Sequence, residues 1–217
     1  MLIAILQFLG TNCETDMEYA YKILQKDYAI IWHQEKELPS ETNLVVIPGG
    51  FSYGDYLRSG AIAKFAPIMK SVIRYANNGG VVLGICNGFQ ILSEAKLLPG
   101  VLMRNKNILF NSKMVELEIS SNKNKLLKSY TQNQKITIPI SHADGSYYVN
   151  KDELEQLKEN DQILLRYTDD INGSIDKIAG VCNIDKNIFG MMPHPERAIE
   201  DILGSINGLA MLKDICE

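Results

Sequence analysis

Cys86 stands in the pentapeptide Gly84-Ile85-Cys86-Asn87-Gly88, after an apolar run and before a segment of helical pattern. A nucleophile held on a strand-to-helix elbow needs small residues two positions before and two positions after it. The turn there is sharp and strained, and side chains at those positions would collide. Glycine occupies both. The helix that follows aims its N-terminal dipole and free N–H groups at the sulfur, which favours the reactive thiolate. A free cysteine is ordinarily an inert core residue. The flanking glycines and the strand-to-helix context set this one apart.

A thiolate of this kind works with a base, and the chain has only three histidines, His33, His142 and His194. His33 ends an early strand and reads as a surface or packing residue, and His142 follows the strand Ile136–Ile140. His194 lies just past a strand end between Pro193 and Pro195, with Glu196 two residues on. An imidazole with a carboxylate to fix its tautomer and stabilise imidazolium is the second half of a catalytic triad. Alone, Pro193-His194-Pro195-Glu196 would read as a rigid turn; with a cysteine elbow in the same sheet it reads as catalytic. The third element is Gly49-Gly50 at another strand end. There the N–H of Gly50, with that of Asn87 after the nucleophile, can form an oxyanion hole. Cys13, Cys182 and Cys216 are expected to be dispensable for catalysis.

Other chemistries find no support. The cysteines and histidines lack metal-ligand spacing. Thr168 to Ala179 resembles a calcium loop only through Asp170, Asn172 and Gly173, lacks the first Asp and the twelfth Glu, and reads as a turn. With no Walker loop and no G-x-G-x-x-G stretch, ATP binding by this chain is not expected, and Asn172-Gly173-Ser174 matches a glycosylation sequon only formally.

These residues need strands and helices to position them. Leu2 to Phe8 reads as a buried strand and Glu14 to Lys26 as a helix, with Met17, Ala20, Tyr21 and Leu24 on one face. Strands are expected at Ala29–Trp32, Leu44–Ile47 and Val81–Ile85, with helices over 61–76 and 87–95. This alternation of continuous apolar strands with helices predicts a doubly wound, mainly parallel sheet covered on both faces. The second half differs. Half-exposed strands at Lys113–Ile119 and Ile136–Ile140, and a hairpin from Ile163–Tyr167 and Ile178–Asn183, predict an antiparallel insertion. Ile188–Met192 is a last strand, residues 201–216 a closing helix, and the polar stretch 120–135 loop or short helix.

The whole, 217 residues with 46% hydrophobic and 22% charged, fits one α/β domain spanning 1–217, with no repeat or linker. A net charge of −4 argues against nucleic acid and against a membrane surface as partners. No apolar run reaches membrane-spanning length, and four scattered cysteines without a disulfide framework point to a reduced, cytoplasmic setting.

The segment Gly84-Ile85-Cys86-Asn87-Gly88-Phe89-Gln90 and the triplet His194-Pro195-Glu196 resemble the nucleophile segment and His-x-Glu of class I glutamine amidotransferases. More narrowly, the chain resembles the family of small glutaminase subunits of phosphoribosylformylglycinamidine synthases. The likeness is carried by Gly49-Gly50-Phe51-Ser52-Tyr53-Gly54-Asp55-Tyr56-Leu57-Arg58, by Ile138-Pro139-Ile140-Ser141-His142, by Asn172-Gly173-Ser174 and by Met191 to Ala198. It runs from the first strand to the last helix. The chain departs from the family pattern at Ala143-Asp144, where Gly-Glu is usual, and at Asp170-Ile171-Asn172, where Asn-Pro-Asn is usual.

The resemblance implies a flavodoxin-like glutamine amidotransferase fold and a Cys86–His194–Glu196 triad. It further implies an oxyanion hole from Gly50 and Asn87, and substrate contact by Gln90. The chain would hydrolyse L-glutamine and pass ammonia to a large ATP- and Mg-dependent synthetase subunit in purine biosynthesis, with a small accessory subunit in the complex. No cofactor is expected on this chain. Two alternatives remain at this point: the glutaminase of another synthase, such as one supplying pyridoxal phosphate synthesis, and a catalytically silent regulatory subunit. The loop Phe51 to Gly60, rich in aromatics and carrying Arg58, is where a partner is expected to dock and set the Gly50 N–H.

Overall fold

The computed structural model describes all residues, Met1 to Glu217. Its strands are β1 (Leu2–Gln7), β2 (Asp27–Trp32), β3 (Thr42–Ile47), β4 (Val81–Ile85), β5 (Val101–Met103), β6 (Asn111–Ile119), β7 (Lys135–His142), β8 (Ser146–Tyr148), β9 (Ile163–Tyr167), β10 (Ile178–Cys182) and β11 (Ile188–Met191). The helices are α1 (Glu14–Ile23), α2 (Pro67–Asn77), α3 (Asn87–Glu94), α4 (Lys151–Glu159) and α5 (Leu209–Asp214). None is long and apolar enough to cross a membrane.

Nine strands form one sheet in the order β2-β1-β3-β4-β11-β10-β9-β6-β7, and β5 pairs with β8 in a second, two-stranded sheet. The first five strands in that order are parallel. They are apolar because helices cover both faces. The remaining four are antiparallel, the insertion expected in the second half. A parallel block brings the carboxyl ends of its strands to one edge, where such sheets hold ligands. Here that edge carries Gly49-Gly50 after β3, Cys86 after β4 and His194 after β11.

The sheet curls so that β7 returns to this edge. His194 N–H donates to the Pro139 carbonyl (2.9 Å), so the segment after β11 runs along the outer side of β7. Alternation along β7 places Ile136, Ile138, Ile140 and His142 on its buried side. His142 thus enters the interior by the same period-two register as three isoleucines.

Three expected helices are shorter than their sequence pattern. Over 61–76 a 3₁₀ turn (Ala63–Phe65) precedes α2, because Pro67 forces Ala66 into extended backbone (ψ 142°). The first helix stops at Ile23, and Gln25 turns left-handed (φ 53°). The closing helix splits at Gly204 (φ 89°), leaving a 3₁₀ turn at Asp201–Leu203 and the short α5. Helix α4 has no counterpart in the sequence reading. Only Leu157 is buried on it, so it shows no apolar stripe, yet Asn150 and Glu153 form a full capping box at its start.

A very close backbone approach lies beneath the cysteine. A Cβ on Gly88 would sit 1.9 Å from the Ile47 carbonyl oxygen, and one on Gly84 would sit 2.7 Å from the Gly88 backbone. Strand β3, strand β4 and helix α3 therefore meet backbone to backbone. Gly88→Ala should destabilise the protein by about 2 kcal/mol or more through overpacking. Urea unfolding checks this, and a loss within about 0.5 kcal/mol, the range of an ordinary surface change, contradicts it.

Candidate active site

Cys86 takes φ 51° and ψ −104°, a left-handed conformation that costs an ordinary residue on the order of 1–3 kcal/mol. Its N–H donates to the Met191 carbonyl (2.7 Å), which continues the β4–β11 pairing one step into the elbow. The side chain is buried, and its sulfur lies 3.6 Å from the Ser141 carbonyl. The N–H groups of Asn87 and Gly50 donate to no acceptor in the protein, and Gly50 turns at φ 129°. Gly50, Cys86 and Gln90 line one cavity, with Phe51, Asp55, Ser59 and the segment Ser141–Asp144.

His194 and Glu196 are almost fully buried, and His194 Nδ1 is hydrogen-bonded to Glu196 Oε1 at 2.6 Å. Burial alone would lower the pKa of His194. The Glu196 carboxylate, and next the charge of Cys86, hold it well above the ordinary histidine range. Nε2 has no partner in the protein, so it is free to exchange a proton with a group in the site. The imidazole and Cys86 converge over Gly49: a Cβ there would lie 2.7 Å from His194 Cε1 and 3.4 Å from Cys86 Cβ.

A second thiol shares this histidine. The ligating atoms of Cys13, His194 and Glu196 lie within 4.8 Å of one another. Cys13 Sγ also receives a hydrogen bond from Arg197 (3.2 Å), itself paired with Asp16 at 2.8 Å. Burial raises the Cys13 pKa, which keeps it a thiol at neutral pH. Cys13 sits in the residues leading into α1, with no elbow around it. Its place at the site is invisible in the sequence, because β1 and β11 meet this edge only in the folded sheet. Cys182 and Cys216 are buried in the core.

The expected site residues Cys86, His194, Glu196, Gly50, Asn87 and Gln90 thus lie at one edge of the sheet. Asn87 and Gln90 also hold other parts in place. The Asn87 side chain accepts from Ser52 N–H (3.1 Å) and donates to Asp55 (3.2 Å) and Gln90 (2.9 Å), while Gln90 donates to the Asp144 carbonyl (2.6 Å). His33 is a packing residue: buried against Phe8 and Trp32, it is hydrogen-bonded to the Tyr53 hydroxyl (2.7 Å) and ties down the loop after Gly50. That loop divides, with Tyr53 packed inward while Phe51, Tyr56 and Leu57 remain exposed.

Sequence reasoning left the segment after β7 without a role, and it forms the roof of the cavity. Asn105 donates through Nδ2 to the Leu109 and His142 carbonyls (both 2.9 Å). Its Oδ1 must then be the acceptor, taking Gly145 N–H (3.0 Å) and facing His142 Nδ1 (3.1 Å). His142 therefore carries its proton on Nδ1, leaving Nε2 as a bare, unpartnered acceptor. Asn172 donates to the Gly145 carbonyl (2.8 Å) from the other side. Asp144 accepts from Ser59 (2.9 Å) and pairs with Arg104 (3.3 Å).

Comparison with known proteins bears on this arrangement. The family described as "CobB/CobQ-like glutamine amidotransferase domain" matches residues 1–209. The phosphoribosylformylglycinamidine synthase subunit PurQ of Wolinella succinogenes is 60% identical over 216 residues, with 99% of each chain covered. The subunit of the same name from Helicobacter hepaticus is 59% identical, covering 99% of this chain and 97% of its own. Among solved structures, that of PurLQS from Thermotoga maritima contains a chain that superposes with a TM-score of 0.92 at 37% identity, covering 99% of this chain and 97% of its own.

Burial, and next the charge on His194, push the pKa of His142 down to about 4. As pH falls from about 6.5 the unfolded chain takes up this proton first. The native state accordingly loses stability between about pH 6.5 and 4, and no further through this group below that. Nitrogen-detected NMR should find His142 neutral, with its proton on Nδ1, down to about pH 5. An imidazolium form of His142 at about pH 6, near its ordinary value, contradicts the assignment.

Proposed function

Since the chain belongs to the family of CobB/CobQ-like glutamine amidotransferase domains, we propose that it is the glutaminase subunit of a phosphoribosylformylglycinamidine synthase. The observation that carries the reading is the convergence over Gly49 of a strained elbow cysteine and a carboxylate-held imidazole. The near-complete match to subunits of that synthase supports the choice among glutaminases.

In this reading the Cys86 thiolate attacks the γ-carboxamide carbon of L-glutamine, and the N–H groups of Gly50 and Asn87 hold the developing oxyanion. Imidazolium His194 gives its Nε2 proton to the departing ammonia. Neutral His194 then takes a proton from the water that cleaves the γ-glutamyl thioester, releasing glutamate. Glu196 holds the tautomer and stabilises imidazolium through Nδ1. Gln90 lines the substrate cavity and holds its roof. Cys86 is the nucleophile rather than Cys13, because it opens α3 on the cavity side, whereas Cys13 is engaged by Arg197.

Ammonia leaves for a large synthetase subunit, which carries the ATP and Mg²⁺ chemistry, with a small accessory subunit completing the complex. Two features support partner control. The cavity is about 30 Å³, room for a water or two, so glutamine enters only when the loop after Gly50 or the roof moves. Phe51 and Phe110, with ring centres 6.4 Å apart, stand exposed near its mouth, and Tyr56 and Leu57 are exposed on the same loop.

Cys86→Ala should lower glutamine-dependent synthesis by the reconstituted complex about 10⁴-fold or more. Ammonia-dependent synthesis should persist, because that site is on another chain. Near-normal glutamine use by this variant contradicts the mechanism. Steady-state ammonia release by the isolated chain should be slow and should rise on the order of 10²-fold when synthetase and its substrates are added, the worth of one well-placed oxyanion donor. Equal rates would remove partner control from the account.

A further inference from the structure

The cavity in front of Cys86 has a polar end that the reaction chemistry does not use. Asp55, Ser59 and Asp144 line it, and no lysine or arginine does. Asp144 is paired with the largely exposed Arg104. Asp55 has no cationic partner, and the only groups within hydrogen-bond reach of its carboxylate are uncharged. Its backbone lies in a run of left-handed residues, Tyr53 (φ 53°), Gly54 (φ 67°) and Asp55 (φ 54°), an arrangement costly for side-chain-bearing residues. Burial, together with the facing Asp144 carboxylate, raises the Asp55 pKa to about 6 against the hydrogen bonds from Ser59 and Asn87.

A second observation points to what belongs there. His142 lines the same cavity, is almost fully buried, and has an Nε2 lone pair with no donor in the protein. The polar end thus combines two carboxylates with one bare imidazole acceptor, and the single Ser59 hydroxyl, which donates to Asp144 and lies within reach of Asp55, is shared between the two. Such a lining is complementary to a small cation with several N–H donors. A metal ion is a poorer fit, since the only trio of ligating side chains close enough to share one is Cys13, His194 and Glu196.

We propose that Asp55, with Asp144, is the subsite that grips the α-ammonium group of the amino-acid substrate whose side-chain amide reaches Cys86. This rests on the glutaminase reading. It adds the element that selects an α-amino acid over a simple amide. The substrate cation completes the charge balance of a carboxylate pair that the fold leaves one cation short.

The test uses the full chain in its synthetase complex and two substrates, L-glutamine and glutaramate, the analogue in which hydrogen replaces the α-amino group. The wild-type complex should prefer glutamine by about 10²-fold or more in kcat/KM, the size expected for a buried, hydrogen-bonded charge pair. Asp55→Asn should narrow that preference below about tenfold by raising KM for glutamine while leaving glutaramate turnover nearly unchanged. Asp144→Asn should narrow it in the same sense, and retained glutaramate turnover shows each variant folded with an intact nucleophile. Equal loss on both substrates, or an unchanged preference, overturns the subsite and leaves the glutaminase reading standing. Failure of the wild-type complex to release ammonia from glutamine overturns that reading and the subsite with it.

Discussion

Beneath Cys86 three backbones touch: the Ile47 carbonyl of β3, the end of β4, and the first turn of α3 at Gly88. This contact admits no side chain, and it forces the chain to reverse within one residue, leaving Cys86 at φ 51°. Everything else at the site is referred to that point. The N–H of Asn87 is free because α3 begins there, and Gly50 lines the same cavity as Cys86 because β3 runs in register beside β4. His194 arrives because β11 pairs with β4 on its other side, Gly190 against Gly84. Stored backbone strain of this kind persists only where surrounding packing over-determines it. Here the packing is the core of a parallel sheet, among the stiffest settings a protein offers.

Much of this was legible in the sequence because it depends on local rules. Glycines two residues either side of a cysteine, a glycine pair after an apolar strand, and a histidine fixed between prolines each announce themselves without knowledge of the fold. The parallel block was legible for the same reason, since strands buried on both faces are continuous apolar runs. What escaped was long-range. Nothing near Cys13 indicates that β1 and β11 deliver it and His194 to the same edge, and nothing near Ser141–Asp144 indicates that the curled sheet lays β7 over the nucleophile. Asn105 fixes a tautomer 37 residues away through hydrogen bonds that leave no periodic trace. Helix ends were overextended where a proline or a left-handed glycine overrode the apolar pattern, at Pro67 and Gly204.

The site is built as a rigid floor under a polar roof. The floor is apolar strand and helix backbone, fixed by packing. The roof, Ser141 to Gly145, is held by side-chain hydrogen bonds: Gln90 and Ser59 donate to Asp144, Asn172 donates to the Gly145 carbonyl, and Asn105 donates to the His142 carbonyl and accepts from Gly145 N–H. Bonds of that kind contribute about 1 kcal/mol each, so the roof can shift at modest cost while the floor cannot. Such a division suits a reaction whose nucleophile must stay fixed while the cavity opens for each substrate and closes over each thioester.

Two thiols, Cys86 and Cys13, flank one imidazole, and the account stands on the choice between them. Acid quenching of the assembled complex during glutamine turnover, followed by peptide mapping by mass spectrometry, identifies the sulfur that carries the acyl group. The account predicts a single γ-glutamyl thioester on Cys86 and none on Cys13. A glutamyl adduct on Cys13, or ammonia release from a complex in which Cys86 is never acylated under conditions that trap thioesters, would contradict it.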